Sequence, residues 1–150
     1  MKKLLGVIVS TIMFSCTPCP SSQGGAIAVP NEKMCEDYRA RFNRVINYLT
    51  SSDNPNLKSF EGPAVDWARW TVLVSERESW ETPSGTVAGQ TYCDLRIIAV
   101  GDNEPKKSAL CHETIHAIQG CVSGAADLDG HAHWDEQKIW GVVDACQAAQ

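Results

Sequence analysis

The four histidines of this chain all fall between residues 112 and 133, although the chain has 150 residues. Two of them, His112 and His116, stand four apart in the segment HETIH. On a helix that spacing puts both imidazoles on one face, one turn apart. Rings so placed share one Zn²⁺ at about 2.0–2.1 Å each. Glu113 follows the first of them. Its position around the helix lets it reach a water at the metal without being a ligand itself. This is the HExxH arrangement, in which two imidazoles hold the metal and the carboxylate acts as general base.

A catalytic zinc site needs a third protein ligand and an open fourth position. The sequence DLDGHAHWDE offers His131 and His133. In an extended stretch these two point in opposite directions, so one of them is expected on the metal. His133 is preferred, because Trp134 and the start of a helix hold it; His131 is the alternative. Asp129, Asp135 and Glu136 are reserve ligands. Each is more naturally a cap, a solvated charge, or an acceptor that orients a ligand histidine. Trp134 can border the site. The chain's other tryptophans (67, 70, 80 and 140) read as core.

The elements that must carry these groups follow from periodicity. Apolar residues at 34, 35, 38, 42, 45, 46 and 49 recur in steps of three and four, which predicts an amphipathic helix over 32–49. Asn31 is its N-cap, and Arg39, Arg41 and Arg44 fall on its polar side. WARWTVLVS (67–75) and YCDLRIIAV (92–100) read as strands, and 76–89, with Pro83, Gly85 and Gly89, as a loop with turns. Pro105 opens a helix that runs to Gln119, with Gly120 as its stop. A last helix is expected over 134–148. The order predicts an α+β domain with the motif helix packed on a short antiparallel or mixed sheet.

The N-terminus has a different character. Lys2 and Lys3 precede an apolar run from Leu4 to Phe14, which is shorter than the about 20 residues a bilayer span needs. This is the pattern of an export signal. Met13-Phe14-Ser15-Cys16 is similar to a bacterial lipobox, with Cys16 as the lipidated residue; Ala26-Ile27-Ala28 is a rival cleavage site. Of seven cysteines, lipidation of Cys16 leaves six that can pair, whereas cutting after Ala28 leaves five. In an oxidising compartment the even number points to disulfides. Cys111 and Cys121 flank HETIH, so a bridge holding that region is expected. Residues 1–15 therefore read as a signal peptide, 16–31 (rich in Pro, Ser and Gly) as a flexible tether, and 32–150 as one domain. The expected location is the bacterial cell envelope, with a lipid-anchored protein on its periplasmic or extracellular face.

The net charge is −5 and no basic block occurs. That argues against nucleic acid and against an anionic membrane surface as partners. Asp127 and Asp129 resemble part of a calcium loop, but the full pattern is missing. Oligomeric state is not legible.

CHETIH on a helix, the preceding strand YCDLRIIAV and a downstream histidine resemble the zincin metallopeptidases over roughly residues 67–140, and specifically small bacterial metallopeptidase lipoproteins. The resemblance implies a zincin-like sheet above the motif helix. It also implies an edge strand, 92–100, that binds an extended peptide or protein substrate. The implied activity is peptide-bond cleavage by zinc-activated water, with Glu113 as general base and proton donor to the leaving amine. Tyr92 or the spare histidine would steady the oxyanion. The chain departs from the metzincin pattern HExxHxxGxxH, having Gln119 and Val122 where that pattern has Gly and His. The thermolysin-type glutamate ligand is not evident either. Two other functions fit the same residues. One is a non-catalytic zinc-binding or structural surface lipoprotein; the other is an inhibitor or interaction module scaffolded by disulfides.

Overall fold

A computed structural model describes residues 25–29, 32–52, 57, 65–101, 108–119, 121, 131, 134–136 and 138–150. Cys16, Asp129 and His133, with the signal, the lipobox and the N-cap Asn31, lie outside the described residues.

The described residues form an α+β fold of three helices, a four-stranded mixed sheet and a two-stranded hairpin. In chain order these are β1 (Ala26–Ala28), α1 (Glu32–Ser51), a 3₁₀ turn (Trp67–Arg69), β2 (Thr71–Ser75), β3 (Trp80–Thr82), β4 (Gly85–Val87), β5 (Gly89–Tyr92), β6 (Ile97–Gly101), α2 (Ser108–Gln119) and α3 (Ile139–Ala148). The sheet order is β1-β2-β6-β5. The first three strands are parallel, and β5 runs antiparallel to β6 along one edge.

β-branched residues at every second position give β2 and β6 one buried face, with Val72 and Val74 beside Ile98 and Val100. Register extends those rows across the sheet. Ile27, Val72, Ile98 and Thr91 form one row; Val74, Val100 and Gly89 form the next. Thr91 and Gly89 of β5 therefore share the face that the core packs on. α1 lays Cys35, Tyr38, Phe42, Val45, Ile46 and Leu49 into that core, as its apolar stripe predicts. Phe42 meets Trp67 edge to face at 5.9 Å.

Several expectations are corrected. The single strand over 92–100 is the end of β5, a tight turn at 93–96 and then β6. Arg96 closes that turn with φ 55°, and its carbonyl accepts a bond from the Thr71 N–H at 2.9 Å. The edge strand is thus Gly89–Tyr92, and 97–101 is interior. The loop at 76–89 contains the β3–β4 hairpin. Ala26–Ala28, within the stretch expected to be a tether, pairs with β2, and Ile27 is fully buried. The last helix begins at Ile139, after a separate turn at Trp134. Arg41 is buried rather than solvated, lying 4.5 Å over the Tyr38 ring and donating to Gln150 Oε1 at 3.2 Å.

Two disulfides fix the motif helix. Cys111–Cys146 joins its first half to α3, and Cys93–Cys121 joins its far end to the β5–β6 turn. Cys35 is disulfide-bonded as well. Disulfides of this kind form and persist in oxidising, extracytoplasmic compartments. Among the described residues, no helix is long and apolar enough to cross a membrane.

Candidate metal centre

α2 is buried on nearly every side. Leu110, Cys111, Thr114, Ile115 and Ala117 are 0–1% exposed, and the helix packs on β5, β6, α1 and α3. Its half-exposed stripe runs through Ala109, His112 and His116, in steps of three and four. The local sequence thus leaves open the one face that bears both imidazoles.

His131 comes to the same point from outside the helix. Its carbonyl accepts the Trp134 N–H at 3.0 Å, which ties it to the residue that backs the site. The three Nε2 atoms stand 3.0 Å (His112–His116), 3.2 Å (His116–His131) and 2.9 Å (His112–His131) apart. Two ligands at about 2.05 Å from one ion stand roughly 2.9 Å apart at a right angle and roughly 3.3 Å apart at the tetrahedral angle. The observed triangle falls within that interval.

The rings also have suitable protonation. Burial, and then His131 beside it, lower the His112 pKa to about 4. Burial, then His112 and His131, bring His116 to about 3. Both imidazoles are therefore neutral at pH 7, which is the form that ligates a metal. Three imidazole nitrogens facing one another cannot all hydrogen-bond pairwise. A shared cation satisfies them together, and an all-imidazole set suits zinc, copper, iron and nickel alike.

Trp134 backs this triangle. It is 2% exposed, and its ring lies 4.6–4.7 Å from all three imidazoles. The chain holds it with a turn closed by Ile139 N–H to Trp134 O (2.8 Å) and Lys138 N–H to Asp135 O (3.1 Å). These are the paired bonds of a Schellman closure, with Lys138 in the left-handed position that usually holds glycine. Lys138→Gly is expected to stabilise the protein by about 0.5–1 kcal/mol, after the greater freedom of unfolded glycine is subtracted. A higher urea midpoint with unchanged slope is the measurement that checks it.

Glu113 is 5% exposed and lies between α2 and β5. Its Oε1 is 3.9 Å from His112 Nε2. With His112 neutral, that approach is not an ion pair; it sets a carboxylate oxygen beside the histidine triangle. The Thr91 hydroxyl lies 2.8 Å from both Glu113 Oε2 and the Glu113 carbonyl, and donates to one at a time. Gly89 completes the fit, since a Cβ there would stand 2.6 Å from Glu113 Cγ and 2.7 Å from Oε1. Threonine and glycine on one face of the edge strand thus hold the carboxylate in place.

Of the sequence-predicted residues, His112, His116 and His131 are brought together as a group able to hold a metal ion, with Glu113 adjoining. His133 and Asp129 lie outside the described residues. Asp135 and Glu136 do not join the group. Tyr92 is 38% exposed and its hydroxyl donates to Gln90 Oε1 at 2.6 Å. Sequence alone does not mark Thr91 at all, and it marks Gly89 only as a turn residue and Trp140 only as core. Only the sheet register reveals the first two. Trp140 looks like any other core tryptophan until α3 is placed.

The chain matches no protein-family model, no curated protein and no solved structure, so the reading of the site rests on its own residues.

Proposed function

We propose that this chain is a zinc-dependent hydrolase that cleaves peptide bonds outside the cytoplasm. One observation carries the reading: three imidazoles converge on one point, and a buried carboxylate stands beside them, anchored elsewhere. His112, His116 and His131 would hold the ion. When bound, zinc supplies Lewis acidity that polarises a carbonyl and acidifies water. The protein's own groups do the rest. Glu113 Oε1, the oxygen nearest His112, accepts a proton from the attacking water and returns it to the leaving amine. Thr91 engages Oε2 and so keeps Oε1 turned toward the histidines. Trp134 excludes water from behind the rings, which sharpens electrostatics at the front.

A purely structural zinc is less well supported. The motif helix is already fixed at both ends by disulfides, each typically contributing about 2–4 kcal/mol, so a metal is not needed to staple it. Glu113 also approaches His112 at Nε2, the nitrogen that faces the other two histidines, and so does not orient the ring from behind as a carboxylate supporting a structural site does. In the same reading Cys16 carries a lipid that anchors the protein to the cell envelope, and the substrate is a peptide or protein rather than a nucleic acid.

Metal removal tests the proposal. Cleavage of a mixed peptide library by the purified protein is expected to stop on treatment with 1,10-phenanthroline. One equivalent of zinc after removal of the chelator is expected to restore it. Cleavage that survives chelation, or a zinc-loaded protein that cleaves nothing in the library, would count against the reading.

A further inference from the structure

Trp140 is the exposed tryptophan of the site. Trp67, Trp70 and Trp134 are 9%, 4% and 2% exposed, whereas Trp140 is 39% exposed. It lies in the first turn of α3, with its ring 5.0 Å from Trp134, 5.1 Å from His131 and 5.6 Å from His112. One part of the indole therefore abuts the metal centre and the remainder faces solvent. Shielding the ligands does not account for it, because Trp134 already contacts all three rings and is buried.

We infer that Trp140 is a binding subsite for an aromatic or large apolar group carried by whatever molecule is held at the metal. A flat ring beside a metal site favours such a group through stacking and through removal of apolar surface from water. A substrate of the proposed hydrolase would then carry an aromatic or bulky apolar residue next to the bond that is cut. The inference rests on the metal-centre reading, but it does not require that the protein be shown to catalyse anything.

The test compares two small zinc-binding probes, acetohydroxamate and benzohydroxamate, on the zinc-loaded protein by calorimetry. The ratio of their affinities in wild type is compared with the ratio in Trp140→Ala, Trp140→Gln and Trp140→Phe. Taking this ratio removes the intrinsic difference between the probes, as a double-mutant cycle does. The preference for the phenyl probe is expected to fall about tenfold in Trp140→Ala and Trp140→Gln. Trp140→Phe is expected to keep most of it, and acetohydroxamate affinity is expected to change little in any variant. An unchanged ratio in both Trp140→Ala and Trp140→Gln overturns the subsite while leaving the metal centre standing. A protein that holds zinc but binds the phenyl probe no better than either variant does so as well. If wild type takes up no zinc, the metal-centre reading itself falls, and the subsite with it.

Discussion

Glu113→Gln is expected to leave zinc on the protein and to lower kcat/KM for peptide hydrolysis by about 10²–10⁴-fold, the range for loss of a positioned general base. The two halves of that result have separate causes. Retention of zinc follows because the group able to hold the ion is His112, His116 and His131, with Glu113 outside it. The loss of rate follows because a carboxamide cannot accept the proton that Glu113 Oε1 would take. Shape is preserved: glutamine fits the same space against Gly89, and its carbonyl oxygen can still accept from Thr91. Steady-state kinetics on a cleaved library peptide, with zinc measured in the same samples, check both halves. Parallel loss of zinc and activity would make Glu113 a ligand. Full activity in the variant would remove it from the chemistry.

His131→Ala is expected to weaken zinc binding at least 100-fold. Changing a group that merely orients a ligand typically costs 10–100-fold, so deleting a ligand costs at least the upper end of that range. The metal-free fold should hardly notice. His131 is exposed, and its link to the turn is a backbone bond that alanine keeps. An exposed substitution of this kind usually changes stability by no more than about 0.5 kcal/mol. Competition with a chromophoric chelator gives the affinity, and urea unfolding of the metal-free protein gives the stability. His133→Ala measured beside it separates the two candidate ligands; the loss is expected in His131→Ala and not in His133→Ala.

Much of this site is local in sequence, and that part was legible. The four-residue spacing of His112 and His116 fixes their common face on any helix. Glu113 comes with them. The stripe of α1 and the β-branched run of β2 are equally local signals. The remainder depends on contacts between distant segments. Alternation along 131–133 shows that the two histidines diverge in an extended chain, but it does not encode the Trp134 N–H bond to the His131 carbonyl or the approach of His131 to the motif helix. YCDLRIIAV reads as continuous because Cys93, Leu95 and Arg96 lack the glycine that usually marks a turn; Arg96 adopts the positive φ regardless. Ala26–Ala28 sits in a stretch whose composition suggests a linker, and it becomes a strand only because β2 offers a parallel edge. Thr91 and Gly89 face Glu113 through the register of β5 on β6, which no local pattern encodes. Arg41 shows the opposite case: a charge on a polar helix face that the fold nonetheless buries, over Tyr38 and against Gln150.

The imidazoles of His112, His116 and His131 form a group able to hold one metal ion. X-ray absorption spectroscopy of the zinc-loaded protein, with the metal quantified in the same sample, tests this most directly. The expected result is one zinc per chain with three imidazole ligands and a remaining light-atom ligand from solvent. A protein that retains no zinc after loading, or a spectrum dominated by sulfur or carboxylate ligands, would contradict it.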